Sequence, residues 1–103
     1  MKPYFLTRTA AEGLEALIDT VRASFGVEVA WRVLGELERS FQQLADFPGI
    51  GHRRSDITSD ERVRFWAAPP SLIAYLPRPE GVVILFVERG SRDWSEWELE
   101  ELP

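Results

Sequence analysis

Arginine carries almost all of the positive charge in this sequence. Eleven arginines stand beside a single lysine, Lys2, and seven of the eleven fall between Arg53 and Arg92. A guanidinium is a rigid fork of donors, so an arginine-rich, lysine-poor stretch suits bidentate contacts to phosphate or carboxylate rather than a diffuse positive field. In Gly51-His52-Arg53-Arg54, either Arg53 or Arg54 could grip a phosphate or a partner's carboxylate; the competing reading pairs one of them with Asp56 and pins the loop to a sheet. Arg62 or Arg64 could meet Arg89 at one end of a sheet and stabilise developing phosphate charge, as a metal-free ribonuclease requires. Such an enzyme would draw on Arg54, Arg64, Tyr75 and Arg89, with Tyr75 orienting the substrate or donating a proton. Within an apolar strand, however, a packed tyrosine ring with its hydroxyl at the edge is the better reading. Arg92 has Glu88, Asp93 and an acidic tail to pair with, so an Arg92–Asp93 corner after the last strand is read as structural. His52 is the only histidine. Its pKa suits acid–base work, but no nucleophile or carboxylate can be placed beside it, and a solvated loop histidine is expected.

Four tryptophans are many for a chain of 103 residues. Trp31 sits off the apolar stripe of its helix and is expected to be exposed, as aromatics at interfaces are. Trp94 and Trp97 flank the start of a possible terminal helix, where they could hold a partner's segment or close the open end of the core.

The elements that position these residues follow from apolar spacing. Tyr4-Phe5-Leu6 predicts a short strand. Thr9 three residues before Glu12 predicts a capping box. Leu14, Leu17, Ile18, Val21 and Phe25 then form a helical stripe that Gly26 stops in the left-handed conformation. Val27, Ala30, Leu34, Leu37, Phe41 and Leu44 predict a second helix to about Asp46, ended by Pro48-Gly49. Two amphipathic helices with so short a joint pack as an antiparallel hairpin. Residues 50–62 are polar and read as an irregular loop. Val63 to Ala67 alternates as a strand, with Val63, Phe65 and Ala67 on one face and Arg64 on the other. Leu72 to Leu76 is a second strand. Val82 to Val87 reads as a central strand buried on both faces. Pro69-Pro70 and Pro77 to Gly81 are turns, so the three strands form a meander, and the hairpin must cover one of its faces. Ser95 and Glu98 fit a second capping box before Pro103. The predicted fold is α+β in the order β-α-α-β-β-β, one domain over residues 1–103, with an optional short C-terminal helix.

Composition narrows the function. There is no cysteine, which excludes disulfides, zinc–thiolate sites and a cysteine nucleophile; no metal or cofactor is expected. No signal peptide is expected, and no apolar run approaches the ~20 residues that span a bilayer. The net charge of −5 argues against a general nucleic-acid binder.

Four segments, in order, resemble the ParE/RelE superfamily of toxin-antitoxin toxins. They are Leu6-Thr7 leading into a helix with Ala10 and Leu14; residues 41–51, ending Asp46-Phe47-Pro48-Gly49-Ile50-Gly51 and followed by Arg53-Arg54-Ser55-Asp56; Ile73-Ala74-Tyr75; and Val87 to Asp93. Pro48, Gly49, Gly51, Asp56 and Asp93 carry the structural part of the pattern. The ending Arg89-Gly90-Ser91-Arg92-Asp93 is closer to the ParE branch, the plasmid-stabilisation type, than to the RelE branch, which tends to close with Gly-His-Arg and a nearby tyrosine. Gly13 stands where the first helix of the superfamily usually carries an acidic residue, Leu76 where an arginine is common, and Arg89 where histidine is frequent. The resemblance implies a cytoplasmic toxin neutralised by a cognate antitoxin whose carboxy-terminal segment wraps it. A ParE-like activity implies inhibition of DNA gyrase by binding, with no catalysis and no direct DNA binding by the toxin alone. Arg53, Arg54, Arg89, Arg92, Trp31, Trp94 and Trp97 would then be contact residues. A RelE-like activity implies ribosome-dependent mRNA cleavage, and an inactive member would only bind its antitoxin.

Overall fold

A computed structural model describes residues 2–69 and 71–89. Its elements are β1 (Tyr4–Leu6), α1 (Arg8–Phe25), α2 (Val27–Asp46), β2 (Arg64–Ala68), β3 (Ser71–Arg78) and β4 (Gly81–Arg89). The sheet order is β1-β4-β3-β2. β1 joins parallel to β4, whereas β2, β3 and β4 form the antiparallel meander. The α+β order matches the sequence-based expectation. The Arg92–Asp93 corner and the terminal capping box, with Trp94 and Trp97, lie outside the described residues.

The first helix is capped two residues earlier than expected. Thr7, not Thr9, is the N-cap: its hydroxyl accepts from the Ala10 amide at 3.0 Å and donates to the Leu85 carbonyl at 3.2 Å, while its own amide donates to the Ile84 carbonyl at 3.0 Å. The strand contact therefore chooses the cap, and Glu12 has no part in a capping box. Thr7→Ala removes the cap and the tie to β4. It should cost about 1–2 kcal/mol, seen as a lower urea midpoint at unchanged slope; Thr7→Ser should restore most of the loss.

Gly26 ends α1 and precedes α2 at φ 94°, ψ 172°. This is not the left-handed helical conformation expected at that position, but an extended region at positive φ that is essentially confined to glycine.

The hairpin covers one face of the sheet. Ala10, Leu17, Leu37, Phe41 and Leu44 pack on Ile73, Tyr75, Val82, Ile84 and Val87, with Tyr4 stacked at a tilt on Phe41 at 5.3 Å between ring centroids. The other face is apolar as well: Phe65, Leu72, Ala74, Leu76, Val83 and Leu85 cluster there with Val63 and Ile57 from the loop before β2. Ala67, expected on that face, is exposed near the end of β2. In β4 the alternation changes phase. Ala74 pairs with Phe86 but Tyr75 pairs with Ile84, so Leu85 is the extra residue of a β-bulge and both Leu85 and Phe86 turn toward the second face.

Two sequence-based boundaries shift. β3 runs on through Pro77 and Arg78 instead of turning at Pro77. β2 pairs only as far as Tyr75, so Pro77 lies where β3 has a single neighbour, a position that tolerates the missing amide. The apolar stripes of the helices reach the hairpin tip, but their burial stops short of it. Phe25 and Val27, which flank the Gly26 joint between the two helices, are largely exposed. No helix among the described residues is long and apolar enough to cross a membrane.

Candidate functional site

Phe47 closes α2, its amide donating to the Gln43 carbonyl at 2.8 Å. The chain then crosses the end of the sheet as Pro48-Gly49-Ile50-Gly51-His52, and three side-by-side attachments hold it there. The Tyr75 hydroxyl donates to the Pro48 carbonyl at 2.7 Å and accepts from the Gly51 amide at 2.9 Å. A guanidinium nitrogen of Arg64 donates to the Gly51 carbonyl at 2.8 Å. His52 and Phe65 exchange both backbone hydrogen bonds, at 2.8 and 2.7 Å. A segment expected to be wholly irregular thus forms an isolated bridge on the outer side of β2.

Tyr75 is fully buried, a packed ring as the strand pattern suggested, and burial pushes its hydroxyl above the ordinary tyrosine range, with the Gly51 amide and the Arg64 charge pulling partly back. It works as a clamp on the loop. Gly51 is the matching half. A methyl group there would strike the Tyr75 hydroxyl and ring edge and lie 2.9 Å from the Phe65 carbonyl oxygen. Gly51→Ala should therefore cost about 1–3 kcal/mol, measured by chemical denaturation; a neutral result would show that the loop does not press on Tyr75.

Beyond the clamp, the loop folds on itself. Arg54 forks onto Asp56, Nε to Oδ1 at 2.9 Å and an NH2 group to Oδ2 at 2.7 Å. Each partner stabilises the other's charge, raising the arginine pKa and lowering that of the carboxyl. Arg62 grips Asp60 in the same manner at 3.0 and 2.6 Å. The Arg54–Asp56 pair is exposed and closes the loop's own turn; it does not pin the loop to the sheet, a task that falls to Arg64 and Tyr75. Arg53 is exposed and makes no hydrogen bond or ion pair among the described residues. His52 is exposed and enters the structure through its backbone.

The sheet register separates the arginines that were expected to meet. Arg64 stands in the row of Tyr75 and Ile84, whereas Arg89 stands in the row of Ser71 and Ala68. The two rows are four residues apart along β2, or about 13 Å, and the residues are on strands separated by β3 as well. Antiparallel pairing places the start of β2 against the far end of β3, so the end of β4 cannot lie beside Arg64.

Two surface features complete the inventory. Trp31 is 68% exposed on α2, as expected from its position off the stripe. A groove of about 580 Å³ lies over β1 and the adjoining β4, lined by Phe5, Leu6, Thr7, Arg8, Arg78, Glu80 and Val83. None of these residues was among the contact residues expected from the sequence. The available signal was Phe5, an aromatic that alternates away from Tyr4 and Leu6 and is half exposed. Among the described residues no cluster of three or more histidine or acidic side chains is arranged to hold a metal.

The sequence of residues 4–94 matches the family model described as the ParE toxin of the type II toxin-antitoxin system parDE. Among solved structures the chain is similar to one from the chromosomal ParDE TA system of P. aeruginosa, with a TM-score of 0.69, 22% identity, and coverage of 86% of this chain and 96% of that chain. At this identity the likeness speaks for the fold. No curated protein sequence matches the chain.

Proposed function

The chain belongs to the ParE toxin family of type II toxin-antitoxin systems, and on that premise we propose that it acts in the cytoplasm by binding and inhibiting DNA gyrase until a cognate antitoxin neutralises it. The observation that carries this reading over mRNA cleavage is the employment of the groups a nuclease would need. The Tyr75 hydroxyl is bonded on both sides, Arg54 is forked onto Asp56, Arg64 is committed to the Gly51 carbonyl, and Arg64 and Arg89 belong to distant rows. Proton transfer needs a group within hydrogen-bond reach of the substrate, and Tyr75 is buried beneath the loop. Inhibition by binding needs surface alone, for which Arg53 and the face around it are suited.

On this reading the antitoxin docks at β1 and the groove over β1 and β4. Strand β1 is an edge, so an extended segment can add to it, placing apolar side chains against Phe5 and Val83 and carboxylates near Arg8.

Expression without antitoxin tests the assignment. Gyrase inhibition gives arrested replication, filamentation and DNA-damage signalling with intact mRNA, and the purified chain reduces supercoiling by gyrase. Rapid mRNA cleavage overturns it in favour of a RelE-like enzyme, and unaffected growth leaves only an antitoxin-binding role.

A further inference from the structure

We propose that residues 90–103 form a strap across the face of the sheet opposite the helical hairpin, with Trp94 and Trp97 completing the second core. That face carries Phe65, Leu72, Ala74, Leu76, Val83 and Leu85, all buried. The hairpin packs on the other face, so something else keeps water from this one. Among the described residues, the partly buried apolar side chains packed on it are Ile57 and Phe86. Ile57 belongs to the loop of residues 53–62, whose other members are polar and mostly exposed. That loop leaves from the outer side of β2, where His52 bridges to Phe65. Val83 and Leu85 stand on β4, two strands away in the order β1-β4-β3-β2 and thus about 10 Å from β2. They are nevertheless only 8 and 4% exposed. One isoleucine on a polar loop does not supply the apolar contacts that a buried face of this width requires.

The burial is a property of the chain by itself, so the cover is part of this chain and not a partner. Outside the described residues lie Met1, Pro70 and residues 90–103. Met1 precedes Lys2, whose amide donates to the carboxylate of Asp46 on α2, on the hairpin side of the sheet. Pro70 is a single residue between β2 and β3. Residues 90–103 hold Trp94, Trp97, Leu99 and Leu102, and they follow directly on Arg89, the end of β4 and part of the sheet itself. Trp94 and Trp97 are three positions apart, the spacing that puts two side chains on one face of a helical turn, and each indole can bury roughly 150–250 Å². Asp93, Glu96, Glu98, Glu100 and Glu101 provide the charged outer side of an amphipathic cover. Even at the ~1.5 Å rise per residue of a helix, a segment of this length spans the ~14 Å between the outer strands of a four-stranded sheet. The cover stops short of β1, where Phe5 is half exposed and the groove remains open. The strap therefore leaves the antitoxin's proposed site free, and the inference does not depend on the toxin's target. Of the two roles open to Trp94 and Trp97, holding a partner's segment or closing the core, the burial selects the second.

Fluorine NMR of the full chain, labelled with 5-fluorotryptophan by cell-free synthesis and free of antitoxin, tests the strap. Trp31→Phe, Trp66→Phe, Trp94→Phe and Trp97→Phe assign the resonances. A soluble paramagnetic agent should broaden Trp94 and Trp97 several-fold less than Trp31, which is 68% exposed. Leu85→Val, on the second face, should shift at least one of the two resonances, whereas Ile84→Val, on the hairpin face, should leave both in place. Broadening of Trp94 and Trp97 as strong as that of Trp31 overturns the proposal, and so does the absence of any response to Leu85→Val. Protection that arises only when the antitoxin is added overturns it as well, because both tryptophans would then belong to that partner's contact.

Discussion

Tyr75→Ala is expected to leave the chain largely unfolded at room temperature, and Tyr75→Phe to fold with a loss of about 1–3 kcal/mol. The two substitutions remove different things. Tyr75 is the largest fully buried side chain among the described residues, and deleting a buried aromatic ring costs about 3–5 kcal/mol in lost burial and cavity. Deleting the hydroxyl orphans the Gly51 amide and the Pro48 carbonyl, which the structure holds at 2.9 and 2.7 Å. Together these losses are comparable with the whole stability of a small domain, about 5–15 kcal/mol. Urea titration followed by far-UV circular dichroism gives both values, and a Tyr75→Phe midpoint equal to that of the parent would mean that water replaces the hydroxyl and that the loop is not clamped. The alkaline side offers an independent check. Burial raises the folded pKa of Tyr75, so the folded chain keeps this proton to higher pH than the unfolded chain, which releases it near pH ~10. The stabilisation is complete below that pH and declines as pH rises above it. Tyr75→Phe should lose stability less steeply in that range, with Tyr4, whose pKa is also raised by burial, supplying what remains.

The same residue shows how far a linear reading of the chain reaches. Apolar spacing places Tyr75 in a strand with its ring packed, because period-two alternation is a local property. That its hydroxyl meets residues 27 and 24 positions earlier depends on where the chain after α2 crosses the sheet, which no local pattern encodes. The Arg54–Asp56 pair was legible because its members are two residues apart. The separation of Arg64 from Arg89 was not, since it depends on register across two strand pairs. Thr7 and Thr9 are equally good caps in isolation, and only the bonds from Thr7 to β4 distinguish them. The bulge at Leu85 leaves no mark in a run of apolar residues that is buried on both faces anyway. Fold class followed from elements; the candidate site followed from contacts between elements, and there the sequence offered alternatives rather than answers.

These contacts also bear on what the arginines can do. A guanidinium bonded to a neighbouring carboxylate is locally neutralised and geometrically fixed, so Arg54 and Arg62 shape the loop more than they project charge from it. Arg64 is spent on backbone. Among the described residues of this loop, the arginine left to face a partner is Arg53. A surface of this kind can recognise a carboxylate on another protein but offers little to a nucleic-acid backbone, in keeping with a net charge of −5.

Gly13→Glu, which would install the acidic residue usual at this point of the superfamily, is expected to destabilise the chain by about 3 kcal/mol. In a helix interior glycine is normally the weaker residue, by about 1 kcal/mol relative to alanine, so substitution at an unobstructed position should help. Gly13 is obstructed. A Cβ there would lie 2.7 Å from the Val87 carbonyl oxygen, a backbone atom of β4 in the stretch that pairs with β3, which cannot rotate away as a side chain can. The helix would have to rise off the strand, opening the core around Ala10, Leu17 and Val87. A glutamate would also bring a second carboxylate toward Glu88, whose Oε1 is 3.7 Å from the same Cβ position. Gly35 on α2 is the matched control, since a Cβ there would make only ordinary contact, 3.6 Å from a terminal guanidinium nitrogen of Arg39. Gly35→Ala should gain about 0.5–1 kcal/mol while Gly13→Ala loses stability despite the same gain in helix propensity. Equal stabilisation by both, in urea titrations under one set of conditions, would show that α1 does not approach β4 this closely. If the two separate, the departure at position 13 is a consequence of how tightly helix and strand pack, and it carries no argument against the chain binding a ParE-type target.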